Sequence, residues 1–331
     1  MKAQFSFSDG ERDQVTAALL ALTANPYREY AQFVEQVKEL ADDPVLPGRV
    51  RQFIEDLRLR AWTAEPLVRA SNCPIDPVLP LLDPKDPVTC KYRTKATFVA
   101  EGFLALWAEL TGTEIISHRS VNDGDRFHDI FPKESMYTSQ SQKTLGTLRF
   151  HRDFTNHFVS PDFVTTMVLR DAGANEVVST FTRNSDVLAR LDRATLRVLR
   201  QRRFHTPFDD ISTSENRVLD DVDRTADAHA LLFGECGIRV FEGRTVGLDV
   251  EAAEALAQVL ALLHVHKRSF VNRPGELVGF ANDAVIHGRE ARRVVDRAAL
   301  TQRWLMKTHN VWSLTAHELF FEPDAYGVVH G

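Results

Sequence analysis

After Gly112 the chain is cut into short runs of strand character, and this constrains its fold more than any other feature. The runs cover 114–119, 126–131, 147–151, 163–169 and 176–181, then 230–235, 238–243, 276–282, 284–289 and 303–311. Two helical stretches, about 185–202 and 250–265, interrupt them. Many short strands with few long helices predict an α+β architecture, a sandwich or jelly roll buttressed by helices. No Gly/Ser-rich linker divides the chain. A single domain over 1–331 is expected, with a helical buttress at 1–92 and a strand-rich core at 93–331.

The first sixty residues read as helices. Ser8 and Glu11 form a capping box ahead of Val15, Leu19, Leu20 and Leu22. Asn25-Pro26 offers a cap and a first-turn proline for a second helix carrying Tyr30, Phe33, Val34 and Val37. A third helix runs over about 48–60. Six prolines between Glu65 and Val88 predict an extended connection. A strongly apolar helix then spans about 95–111. The segment 205–230 holds seven acids and little periodicity, which suggests a lid.

Composition narrows the function. With 44% hydrophobic and 26% charged residues, the chain has the make-up of a globular protein with ample core. A net charge of −6 argues against nucleic acid as a partner. The most apolar window, 253–266, is too short for a membrane span. Cys73, Cys90 and Cys236 are widely spaced, odd in number and without a C-x-x-C pair, so a reducing cytoplasm is expected. The N-terminus lacks the pattern of a secretory signal.

The chemistry centres on LRFHRDFTNH at 148–157. His151 and Asp153 stand two apart at a strand or strand end, so both side chains can converge on one point. Arg149 is expected on their face and Arg152 on the other. An imidazole and a carboxylate suit Fe(II), and two histidines with one carboxylate form the facial triad of non-haem iron oxygenases. The pair alone is weak, because H-x-D arises by chance in many chains. His264 and His266, two apart on a helix, diverge. His287 lies at a strand end before Gly288, and Arg303 opens the next strand. An arginine on an adjoining strand suits a chelating dicarboxylate.

The ordered set LRFHRD, SPDFVTTMVLRD, STF, GFANDAVIHGR and QRWLMK resembles the clavaminate synthase-like branch of the Fe(II)/2-oxoglutarate oxygenases, relatives of taurine dioxygenase. The resemblance runs from about Phe127 to Lys307. It implies a double-stranded β-helix core, iron held by His151, Asp153 and His287, and Arg303 on the far carboxylate of 2-oxoglutarate. Either Ser179 or Thr180 matches a family threonine that touches the same carboxylate. The cosubstrates implied are 2-oxoglutarate and O2. Relatives nearest clavaminate synthase often carry Glu in place of Asp153. Related halogenases carry a small residue there, so Asp153 disfavours halogenation. Where the family often has a second arginine for a substrate anion, this chain has Lys307.

The family register places His128 on a strand lining the substrate pocket. It places Glu242 near the acid that basic-amino-acid hydroxylases use, with a solvent-facing glutamate as the alternative. The acidic 205–230 segment is compatible with a cationic substrate. Asn156 and His157 are candidates for orienting His151. The implied activity is hydroxylation of an unactivated C–H bond in a small amino acid or derivative. Desaturation or cyclisation would use the same residues. A non-catalytic jelly-roll binding protein, or a zinc or manganese enzyme on the same triad, are the rival readings.

Overall fold

The computed structural model describes residues 2–157, 159–207 and 227–329. Most of the expected lid, 208–226, lies outside the described residues. In chain order the first part comprises β1 (Phe5–Ser6), α1 (Asp9–Leu20), α2 (Tyr30–Asp42), α3 (Gly48–Arg58), β2 (Leu67–Ser71), α4 (Pro87–Thr94) and α5 (Val99–Thr111). Next come β3 (Glu114–His118), β4 (His128–Ile130), β5 (Leu148–His151), β6 (Phe163–Arg170) and β7 (Glu176–Arg183). The helices α6 (Asn184–Leu188) and α7 (Arg193–Leu199) follow, then β8 (Phe204–His205), β9 (Leu232–Phe233), β10 (Gly237–Ile238) and β11 (Val246–Gly247). The chain closes with α8 (Val250–Val265), β12 (Arg268–Val271), β13 (Leu277–Ala281), β14 (Val285–Arg293), α9 (Arg297–Thr301), β15 (Trp304–Val311), β16 (Phe321–Glu322) and β17 (Ala325–Val329).

Two sheets face each other. The larger runs β1-β2-β13-β6-β15-β3-β17-β16, with β4 also paired to β15, and the smaller runs β12-β7-β14-β5. Central strands of the larger sheet are covered on both faces, so β6 and β15 are buried almost throughout. Alternation then sorts their side chains. Met167, Leu169, Leu277, Trp304 and Met306 join the core made by α1, α2, α3 and α5. On the inner face, Leu67, Val164, Val278 and Phe280 meet Phe181, Phe270 and Val285 of the smaller sheet. The outer face of that sheet is sealed by α7 and α8 through Phe150, Ile286, Leu199, Val259 and Leu263. Because helices and larger sheet share one apolar core, we propose a single domain. No described helix is long and apolar enough to cross a membrane.

Several local expectations change. The Pro-rich connection contains β2, which lies between β1 and β13, and runs into α4, which starts on Pro87 with Asp86 capping Thr89 N at 3.4 Å. Asn25 does not cap α2. Its side chain accepts from Tyr27 N at 2.9 Å, making a turn, and the helix starts at Tyr30. The stretch 185–202 is two helices, because Asp192 caps a fresh start at Arg193. The helix α5 begins at Val99, and Gly112 ends it at a φ of 70°.

Buried charge ties the helices to the sheet. Asp129 on β4 accepts from Lys91 Nζ at 2.6 Å and from Trp304 Nε1 at 2.9 Å, anchoring the start of β15 beside Arg303. Asp76 takes Lys95 Nζ at 2.9 Å and also accepts from Val99 N and Ala100 N, both at 3.1 Å. It therefore caps α5 from a distant segment. Asp76→Ala should destabilise the protein by about 2–4 kcal/mol in chemical denaturation, through lost capping and a half-paired buried lysine. A loss below about 0.5 kcal/mol would show that α5 needs no such cap.

Candidate metal centre

The triad forms where β5 and β14 run side by side. His151 and His287 are direct cross-strand partners, and their rings lie 4.3 Å apart between centroids. Asp153 follows the end of β5 in a turn, and Phe154 after it holds a positive φ of 52°. Asn282 fixes this turn. Its Oδ1 accepts from Asp153 N, and its Nδ2 donates to Asp153 O, both at 3.2 Å, and to Pro161 O at 3.0 Å. Asp153 Oδ1 then sits 3.3 Å from His151 Nε2 and 3.5 Å from His287 Nε2. One ligand atom from each residue falls within 4.8 Å of the others. Neighbouring ligands of an octahedral ion with bonds of about 2.1 Å stand about 3 Å apart, so this donor set needs little adjustment to hold one.

Hydrogen bonds aim the ligand atoms. His151 Nδ1 lies 2.9 Å from Arg149 O, which can only accept, so Nδ1 carries the proton and Nε2 offers its lone pair. Asp153 Oδ2 accepts from Lys307 Nζ at 2.7 Å and from His309 Nε2 at 3.2 Å. Burial works to raise the Asp153 pKa, but Lys307 and the three histidines outweigh it and hold the carboxyl well below the usual range. Burial, with the neighbouring His151, lowers His287 to about 4, leaving a neutral imidazole at pH 7. Phe241 stacks on His151 at 5.2 Å and Phe280 flanks His287 at 4.6 Å, giving the ligands apolar walls.

Arg303 lies across the cavity from this centre. It precedes β15 of the larger sheet, so it faces β14 across the sandwich, and the expected adjoining strand is corrected. Its Nη2 is buried without a hydrogen bond, and burial pulls the guanidinium to about 10. A buried donor without a partner is costly, and a bound carboxylate would supply the missing acceptor. The pairing of β7 with β14 separates Ser179 from Thr180. Ser179 opposes Arg289 on the face that carries His287. Thr180 opposes Gly288 on the other face, where Thr182 reaches Leu263 O of α8 at 2.7 Å. Register thus favours Ser179.

The remaining expectations divide. His128 and Lys307 line the cavity and oppose each other on β4 and β15. Glu242 does not line it, which corrects the expected substrate contact. Its carboxylate is taken up by His264 Nε2 at 2.6 Å and Phe150 N at 3.2 Å. Arg149 does not share the face of His151 either. A β-bulge sets Leu148 and His151 of β5 against Arg289 and His287 of β14, which turns Arg149 outward to solvent. Arg152 turns to Asp283, 2.9 Å from its Nε. Asn156 bonds Thr206 O and Arg239, and His157 packs on Phe154 and His118, so neither orients His151.

Three contributors were not singled out from sequence: Asn282, His309 and Arg289. Asn282 and Arg289 both fall in GFANDAVIHGR, so a signal existed. Arg289 donates to Gln142 O, Thr144 O and Gly146 O at 2.7–3.2 Å, closing that end of the cavity. Gly288 lets β5 approach, since a Cβ there would stand 2.7 Å from Leu148 O.

No protein-family model matches the sequence, and no curated protein matches it in sequence. Solved structures are similar in shape. Asparagine oxygenase with Fe(II), 2S,3S-3-hydroxyasparagine and succinate superposes with a TM-score of 0.81 at 21% identity, covering 98% of each chain. The non-haem iron oxygenase OrfP with Fe and α-ketoglutaric acid gives 0.79 at 21% identity over 98% of each chain. OrfP with Fe, succinate and (3S)-hydroxy-L-Arg gives 0.79 at 19%, covering 98% of this chain and 99% of that one. The chain has their fold. It is a double-stranded β-helix with flanking helices, as expected.

Asn282→Ala should weaken Fe(II) binding about 10–100-fold in anaerobic titration while the far-ultraviolet circular dichroism stays native. Unchanged affinity would show that the Asp153 turn holds itself.

Proposed function

We propose that this chain is an Fe(II)- and 2-oxoglutarate-dependent oxygenase that hydroxylates an unactivated C–H bond of a small amino acid or derivative. The observation that carries the reading is the pairing of a His-Asp-His triad with a buried, hydrogen-bond-deficient Arg303 on the facing sheet. A zinc or manganese enzyme on the same triad would account for the three ligands but would leave Arg303 unexplained. The shared fold with asparagine oxygenase and OrfP supports the same reading.

In this reading His151, Asp153 and His287 hold the iron, with Arg303 and Ser179 on the distal carboxylate of 2-oxoglutarate. When bound, iron and 2-oxoglutarate supply the activation of O2 that oxidises the substrate and yields succinate and CO2. The chain's own residues do the positioning. Arg149 O sets the His151 tautomer, and Asn282 locks the Asp153 turn. Phe241 and Phe280 keep water from the imidazoles. His128 and Lys307 face the primary substrate. We place the protein in the cytoplasm, a setting that suits its three free cysteines.

Anaerobic addition of Fe(II) and 2-oxoglutarate should produce a visible charge-transfer band that needs both. Arg303→Leu should raise the 2-oxoglutarate concentration for half-maximal band about 10–100-fold, the loss expected for charge-assisted hydrogen bonds. Intact metal binding with no band in the wild type would overturn the proposal.

A further inference from the structure

Three non-glycine residues among those described hold a positive φ: Asn72, Asn122 and Phe154. Asparagine tolerates this left-handed backbone, whereas a bulky aromatic residue is strained there and stays only where its surroundings force it. Phe154 directly follows the carboxylate ligand, and its φ of 52° turns the chain just after Asp153. Hydrogen bonds grip the backbone here, for Asn282 takes Asp153 and Ser160 Oγ donates to Phe154 O at 2.9 Å. The Phe154 ring, by contrast, is held by three imidazoles. It stacks on His118 at 3.6 Å between centroids and 12° between planes, and stands edge-on to His157 at 4.5 Å and His309 at 4.7 Å.

Of the three, His118 is the anchored one. It ends β3 and is fully buried. Its Nε2 lies 2.8 Å from Val159 O, which can only accept, so Nε2 carries the proton and the ring plane is fixed. Its Nδ1 has no hydrogen-bond partner among the described residues, and burial holds the imidazole neutral. A leucine or phenylalanine would fill the same space without an unpaired nitrogen, so packing alone does not account for an imidazole here. The bond to Val159 does. It ties β3 to the segment that follows the turn, while the face of the ring lies flat on Phe154. His309, against the same phenyl ring, donates from Nε2 to Asp153 Oδ2 at 3.2 Å. The clamp therefore reaches Asp153 twice, through the backbone of Phe154 and through the imidazole of His309.

We propose that His118 is a positioning residue for the metal centre: by stacking on Phe154 it holds the left-handed turn that presents the Asp153 carboxylate to the ion. His118 bonds Val159 rather than any of the three ligands, and it does not line the cavity. It acts through Phe154, whose backbone keeps its strained conformation only while the ring is clamped. Without the stack the strain is released by rotation about φ, and the carboxylate leaves the point where it meets His151 and His287. The inference rests on the triad holding a metal, and not on the reaction the metal then serves.

The test is a double-mutant cycle read as Fe(II) affinity in anaerobic calorimetry, with far-ultraviolet circular dichroism to confirm each fold. His118→Ala should weaken Fe(II) binding about 10-fold or more, the range for groups that orient metal ligands. His118→Phe keeps a flat ring and should recover most of that loss. His118→Gln keeps a donor but no ring, and should not. Phe154→Gly adopts the same φ without strain and should still bind iron. In that background His118→Ala should cost less than about 2-fold, because the turn no longer needs the clamp. Should His118→Ala fail to fold, His118→Gln takes its place in the cycle. A folded variant without the ring but with wild-type affinity would overturn the inference. Equal losses in the two backgrounds would do so as well, as would a Phe154→Gly protein that no longer binds iron. Wild-type protein that binds no Fe(II) would instead sink the metal centre itself.

Discussion

The carboxylate of Asp153 is the point on which the rest of the site depends. It is 7% exposed, and a buried charge persists only when its oxygens are paired. One oxygen faces His151 and His287, the other takes Lys307 and His309. Through these contacts a single residue joins the smaller sheet, which carries His151 and His287, to the larger sheet, which carries Lys307 and His309. The backbone of the same residue is gripped by Asn282, which directly follows β13 of the larger sheet. The site is thus a junction between two sheets, and neither sheet builds it alone.

The sandwich also separates the two ends of the cavity. Because β15 is central and covered on both faces, its inner residues are polar yet buried. Arg303 at one end and Lys307 at the other face the same interior. The helical layer contributes by rigidity. Lys91, Asp129 and Trp304 form a buried chain from α4 to the start of β15, and Asp76 pins the head of α5. Such buried networks are destabilising when half-satisfied, so they fix one arrangement of the strands that carry the site.

Much of this was legible in the sequence. His151, Asp153 and His287 follow from residue type together with the family resemblance, and the structure brings all three together, with Asp153 placed by a turn rather than by strand alternation. What was not legible depends on pairing. The β-bulge that turns Arg149 outward adds a residue to one strand, which no spacing rule within that strand reveals. Ser179 and Thr180 both line the cavity, and the register of β7 against β14, which puts Ser179 on the face of His287, is not visible within either strand's own sequence. Glu242 misled because its neighbour His264 comes from a helix that only the fold brings close. The strand β2 hid among prolines because its pairing partners, β1 and β13, are distant in sequence.

The most direct test of the oxygenase account is the fate of molecular oxygen during turnover under 18O2. The balance of 2-oxoglutarate, O2 and a C–H bond against succinate, CO2 and an alcohol requires one atom of the gas in each oxygenated product. Mass spectrometry should therefore find one 18O in succinate and one in the hydroxylated amino acid. Succinate formed without label, or no succinate at all from iron-loaded protein, would contradict it.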